Sequence, residues 1–215
     1  MNFETFREHI LEKELEALSE LHIIAFAASC CERLFPFYET FSKTENWGDP
    51  LIPRKALDTI WCITKRESVN IDELNILSQQ CCEEGICPSE NDDNNSYGDS
   101  SLFIEAGNLI YSICTILDAY PKITVYDAVS VSEYIENTLE YYIDDFDASF
   151  QKECQEGTLK EQIKILQNHF LVLKEIAKEA EYLQKLKEEK NLTIEFIEWL
   201  RTSSQKEGWD FINFI

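Results

Sequence analysis

Histidine, proline, glycine and methionine are scarce in this chain of 215 residues, at three, five, six and one. Several classes of function close with them. A phosphate-cradling loop needs clustered glycines, and there is none. A di-iron bundle needs Glu-x-x-His pairs, whereas the residues three before His9, His22 and His169 are Phe6, Ser19 and Leu166. The zinc-protease pattern His-Glu-x-x-His is absent as well. A cysteine–histidine nucleophile pair, which only the fold could assemble, is disfavoured because histidines are few and Cys31 falls on a helix expected to be buried. No apolar run approaches the roughly 18 residues of a membrane-spanning helix. The N-terminal stretch MNFETFREHILEKELEALSE lacks the basic start and apolar centre of a secretory signal. These absences predict a soluble, cytoplasmic protein with no membrane contact, no catalytic residue, no cofactor and no metal.

Positive charge is the other shortage. The chain carries 41 Asp and Glu against 19 Lys and Arg, a net charge of −22. Between Glu67 and Gln151 stand 18 acids and a single base, Lys122. Such a block repels nucleic acid and anionic lipid, and draws in basic partners over a distance set by salt screening.

Eight cysteines are present: Cys30, Cys31, Cys62, Cys81, Cys82, Cys87, Cys114 and Cys154. Without an export signal they read as free thiols, and those in apolar runs (Cys30, Cys62, Cys114) as small core hydrophobes. The nearest approach to a zinc motif, CCEEGIC, sets Cys82 and Cys87 five apart with no histidine nearby.

Apolar residues recur at three- and four-residue spacing almost throughout, and alternating runs are nearly absent, which predicts an all-α fold of one domain over residues 1–215. About eight helices are expected, at roughly 3–17, 19–45, 52–65, 70–84, 100–120, 125–149, 158–189 and 192–206. Thr124 with Asp127 and Thr158 with Glu161 fit capping boxes, Pro53 fits a first helical turn, and Pro121, Gly157 and Gly208 fit breaks. The one long irregular segment runs from Cys87 to Ser101, CPSENDDNNSYGDSS. It fails as a calcium loop: counting from Asp93 puts Ile104 twelfth, and counting from Asp92 puts Tyr97 sixth, where Glu and Gly are needed.

Along 125–149 two stripes run together. Ala128, Val131, Ile135, Leu139, Tyr142, Phe146 and Phe150 form a core-facing one. Glu133, Glu136, Glu140, Asp144 and Asp147, stepping by 3, 4, 4 and 3, form a carboxylate one on another side. Like charges so spaced cost roughly 0.2–0.5 kcal/mol per pair, and no base between Glu133 and Gln151 offsets it. The stripe is either a solvated face or a docking surface for a cationic protein.

A different density marks CERLFPFYETFSKTENWGDPLIPRKALDTIW, from Cys31 to Trp61. At Cys31, Glu32, Arg33, Pro36, Tyr38, Phe41, Gly48, Asp49, Arg54, Leu57, Asp58 and Trp61 it resembles the YjaG-like family, bacterial helical proteins labelled as a domain of unknown function. The resemblance implies an all-helical bundle and carries no activity. This chain departs from the family in its acidic middle, its cysteine-rich loop and its tail WDFINFI, which reads as a docking strand or a last core segment. Physically, Glu32, Arg33, Asp49, Arg54 and Asp58 stand among Phe35, Tyr38, Phe41 and Trp61, so they should be partly buried and paired, with Arg54 and Asp58 one turn apart and Asp49 capping the next helix. A structural network joining two helices is expected there.

Two functions remain. The first is a non-enzymatic acidic binding protein, in its most concrete form an immunity protein neutralising a basic, nuclease-type toxin domain. Glu133, Glu136, Glu140, Asp144 and Asp147 would replace phosphates as counter-charges, with Asp92 and Asp93 of the acidic 87–101 loop as a second contact. The alternative is a housekeeping helical protein or enzyme acting through the Glu32 to Trp61 cluster.

Overall fold

The computed structural model describes residues 2–83, 85–88, 102–155 and 157–212. Over these residues the chain is all-α. α1 (Phe3–Phe6), a π-helical turn (Arg7–Leu11) and α2 (Glu12–Glu16) lead into α3 (Glu20–Glu45), α4 (Leu51–Thr64) and α5 (Ile71–Cys81). α6 (Phe103–Ala119), α7 (Val125–Phe146), α8 (Ala148–Cys154), α9 (Leu159–Gln167), α10 (Phe170–Glu188) and α11 (Ile194–Ile212) follow. The 87–101 segment, and with it Asp92 and Asp93, falls outside the described residues except at Cys87 and Pro88.

α3 is the axis of the molecule. Every residue from His22 to Tyr38 is buried, because a helix that is apolar nearly all round must be covered on all sides. α4, α6, α7, α10 and α11 supply the cover. α3 stops at Asn46, whose left-handed backbone (φ 51) closes the last turn, a conformation asparagine accepts more readily than most residues.

Capping chemistry explains most boundaries. Both expected capping boxes form, Thr124 with Asp127 at the start of α7 and Thr158 with Glu161 at the start of α9. Asp49 accepts from the Leu51 amide at 2.9 Å and opens α4, with Pro53 in its first turn. Two expected helices are each broken in two. Asp147 ends α7 and accepts from the Ser149 and Phe150 amides to begin α8. His169 adopts an extended backbone and accepts from the Leu171 amide to begin α10, so the 158–189 helix is two. In both places a side-chain acceptor competes with the helical ladder for backbone donors.

Gly208 reverses its expectation as a break, for α11 runs through it to Ile212. It is glycine because α11 crosses α3 there: a Cβ at 208 would stand 2.7 Å from the Arg33 carbonyl oxygen and 3.0 Å from its Cα. In an isolated helix Gly→Ala gains about 1 kcal/mol. Here backbone meets backbone, and overpacking of about 1–3 kcal/mol wins. Gly208→Ala is therefore expected to lower the urea midpoint; a raised midpoint would mean α11 can move off α3 freely. The tail beyond it contributes to the core, since Phe211 is buried.

Candidate functional site

The apolar stripe of α7 faces the core as expected: Ala128, Val131, Ile135, Leu139 and Tyr142 are buried, and Phe146 half-buried. The carboxylate stripe needs correction. Arg7, on the π-helical turn, pairs with Glu136 and lies 3.6 Å from Glu133. The base that relieves the stripe thus comes from more than 120 residues away in sequence, beyond any local pattern. Asp147 leaves the stripe to cap α8, and its other oxygen is 3.0 Å from Nε2 of His169. Burial alone would raise the Asp147 carboxyl, but hydrogen bonds from Ser149, His169 and the Phe150 amide outweigh it and hold it at about 2. Ser149 and His169 both bond this carboxylate, so the three residues form a helix junction and not a nucleophile relay.

What remains uncommitted is Glu140 and Asp144, joined by Asp145; among the described residues no ion pair involves them. Burial pushes the Glu140 carboxyl up, with the Arg7 charge opposing. Glu140 and Asp144 rim a groove of about 320 Å³ between α7 and α9. Its walls are apolar and open: Tyr141 is 47% exposed, Leu159 71% and Ile163 43%. α9 has a strongly two-faced sequence, LKEQIKILQ, yet none of its residues is buried. Of its apolar residues Ile165 and Leu166 pack half-buried against the core, whereas Leu159 and Ile163 are left uncovered by the fold.

The family-like cluster is real but divides into two networks. Glu32, fully buried, accepts from Trp61 Nε1 at 2.9 Å and Arg54 Nη1 at 2.8 Å and is ion-paired with Arg201 Nε at 3.1 Å. Asp58 joins through Arg54 at 3.6 Å and through Arg201, and the Arg54 guanidinium stacks 3.6 Å above the Phe35 ring. Arg33 points the other way. Its Nε and Nη2 reach Glu175 at 2.8 and 2.7 Å, its Nη1 the Ser29 carbonyl at 3.0 Å, and its Nη2 the Cys30 sulfur at 3.3 Å. Glu179, bonded by Ser132 at 2.9 Å, completes that network, and Arg33, Glu175 and Glu179 are all fully buried. Cys31 and Pro36 pack in the core, and Tyr38 donates to the Ile86 carbonyl at 2.7 Å.

The links therefore run from α3 to α4, α10 and α11, further than the two-helix network expected. Glu175, Glu179, Ser132 and Arg201 escaped the sequence. A signal for two of them exists: Glu175 and Glu179 share the three- and four-residue spacing of Val172, Ile176 and Leu183, which places charge on a core-facing stripe. Beside this cluster, Arg54, Glu39, Lys206 and Trp209 line a groove of about 440 Å³.

Among the described residues no helix is long and apolar enough to cross a membrane, and no grouping of His, Cys, Asp and Glu could hold a metal ion.

With this geometry in view, the family described as "Protein of unknown function (DUF416)" matches residues 10–212. Proteins named "Uncharacterized protein YjaG" from Salmonella typhimurium and Escherichia coli are 40% and 38% identical over 60 residues, 27% of this chain. The match spans only 31% of the length of those curated relatives. A crystal structure of a DUF416 family protein from Shewanella baltica OS155 superposes with a TM-score of 0.72 at 22% identity, covering 91% of this chain and 93% of that one. At that identity the likeness speaks for the fold.

Proposed function

Since the chain belongs to the DUF416 family, whose description names no activity, we propose from its surface that it is a binding protein for a basic protein partner, docked on the α7–α9 face. The observation that carries this is the pairing of uncommitted acids with an uncovered apolar stripe: Glu140 and Asp144 beside Tyr141, Leu159 and Ile163. A solubility surface needs the acids but not the apolar groove. The occupant that matches both is a cationic segment with an apolar face. The most specific form of the proposal, supported by the net charge of −22, is an immunity protein that occupies the nucleic-acid-binding surface of a nuclease toxin domain.

The test is co-purification with the product of the adjacent upstream reading frame at low and high salt, beside Glu140→Lys with Asp144→Lys and, separately, Leu159→Asp. A complex weakened by salt and by both variants, at least about tenfold for the charge reversal at low salt, supports the proposal. A complex indifferent to Glu140 and Asp144, or none, overturns it. A second possibility is favoured by the 440 Å³ groove beside Arg54: a small-molecule site using the Glu32 to Trp61 cluster. Against it, the oxygens of Glu32 already serve Trp61, Arg54 and Arg201, which is what a structural link requires.

A further inference from the structure

α5 closes on two successive cysteines, Cys81 and Cys82, and α6 sets a third, Cys114, against them. The Cys82 and Cys114 sulfurs are 3.3 Å apart, although the residues are separated by 32 positions. The Cys81 thiol is near enough to raise the Cys114 thiol, and the Cys114 thiol donates to the Ser78 carbonyl at 3.7 Å. Burial is unequal: Cys81 and Cys114 are in the core, whereas Cys82, at the helix end, is open to solvent. One thiol can thus be reached by a small oxidant while its neighbour waits beneath it.

We propose that Cys82 and Cys114 form a dithiol–disulfide site that ties the end of α5 to the middle of α6. Closing from 3.3 Å to a bond of about 2.05 Å asks for roughly 1 Å of movement, within reach of a side-chain rotation at a helix terminus. The oxidant is a peroxide. Hydrogen peroxide converts the Cys82 thiol to a sulfenic acid and leaves as one water. The Cys114 sulfur then attacks the Cys82 sulfur, the S–O bond breaks, and the hydroxyl departs with the Cys114 proton as a second water. The two thiols together supply the two electrons that reduce the peroxide. A small thiol reverses the step through a mixed disulfide, itself becoming oxidised.

The surroundings set the pace. Burial and the contact with Cys114 push the Cys82 thiol up to about 12, and the nearby Cys81 thiol with burial raises Cys114 further. Neither is a thiolate at neutral pH, so oxidation is slow and accelerates with rising pH. Thiols that hold their protons so firmly are also poor leaving groups, so the bridge once formed resists small-thiol reduction. The site is a slow clamp, unlike the acidic, fast-reacting thiols of redox sensors.

The experiment treats the reduced full chain with hydrogen peroxide, alkylates the remaining thiols after denaturation, and reads intact mass and peptide map. The expected result is loss of two of the eight thiols, a Cys82–Cys114 peptide pair, faster formation at higher pH, and a melting temperature a few degrees higher. Cys82→Ser, at an exposed position, should abolish the bridge; Cys81→Ser should keep it. Full alkylation of all thiols, over-oxidation of Cys82 without a bridge, or a Cys81–Cys114 or Cys82–Cys87 linkage would overturn the proposal.

Discussion

Arg33→Met is expected to remove much of the stability of the fold, on the order of 3–5 kcal/mol out of the roughly 5–15 kcal/mol of an ordinary domain. Arg33 is fully buried, and so are its two acidic neighbours, Glu175 at 2.7 Å and Glu179 at 3.9 Å. Methionine fills much of the same volume, so lost packing is a small part of the cost. The larger part is the Glu175 carboxylate left in the core without a counter-ion. Desolvating two charges makes an intact buried pair a weak stabiliser, but breaking it leaves the full penalty on the survivor. A companion variant separates these contributions. Arg33→Met with Glu175→Gln removes the orphan charge and should recover more than half of the loss, a coupling readable in a double-mutant cycle by urea unfolding. If Arg33→Met alone costs less than about 1 kcal/mol, the network does not hold α3 to α10 as described.

Stability should also fall as the solution is made more alkaline between about pH 4.5 and pH 8. Glu179 is pushed from 4.5 up to about 8, first by burial and then by the charge of Glu175, which together outweigh Arg33 and the Ser132 hydrogen bond. Glu105, buried on α6 with no hydrogen-bond partner for its Oε1 among the described residues, is raised by burial to about 8 as well. A carboxyl with a folded value above its unfolded one keeps its proton in the native chain where the unfolded chain has released it. Its stabilisation is complete below 4.5 and is lost as pH climbs to about 8. Asp147 has the opposite sign, with its contribution lost only as pH falls from 3.8 to about 2, outside this window.

Glu179→Gln isolates the effect. The amide is close to the carboxyl in size and can still accept from Ser132, so the core is preserved while one titration disappears. The melting temperature of the variant should decline less with pH than that of the parent and should exceed it above pH 8. Equal slopes for the two proteins would show that Glu179 is already ionised in the folded chain.

How much of this was legible in the sequence differs by element. The fully buried Glu32 and Arg33 of α3 were expected to be only partly so, but the capping boxes at Thr124 and Thr158 and the apolar stripe of α7 were readable, because each involves residues within a turn or two of one another. The break at His169 was not, since histidine as a helix cap competes with a strong apolar period on either side. The acidic stripe was readable as a pattern but not as a charge balance, because Arg7 neutralises Glu136 from the other end of the chain. At the α7–α9 groove the acids were visible in advance, while the apolar half, Leu159 and Ile163, lay inside what was expected to be one long helix over 158–189.

That the protein is helical, where most helices begin, and that its middle is strongly acidic can all be read along the chain, because periodicity, capping and composition act over short separations. Which buried charges meet, why residue 208 must be glycine, and which acids of α7 stay without an ion pair depend on how the helices pack. Arg33 and Glu175 are 142 positions apart, and the approach of α11 to α3 is a matter of two backbones in space. The energies of such contacts depend on burial and distance, and these come into being only when the helices pack.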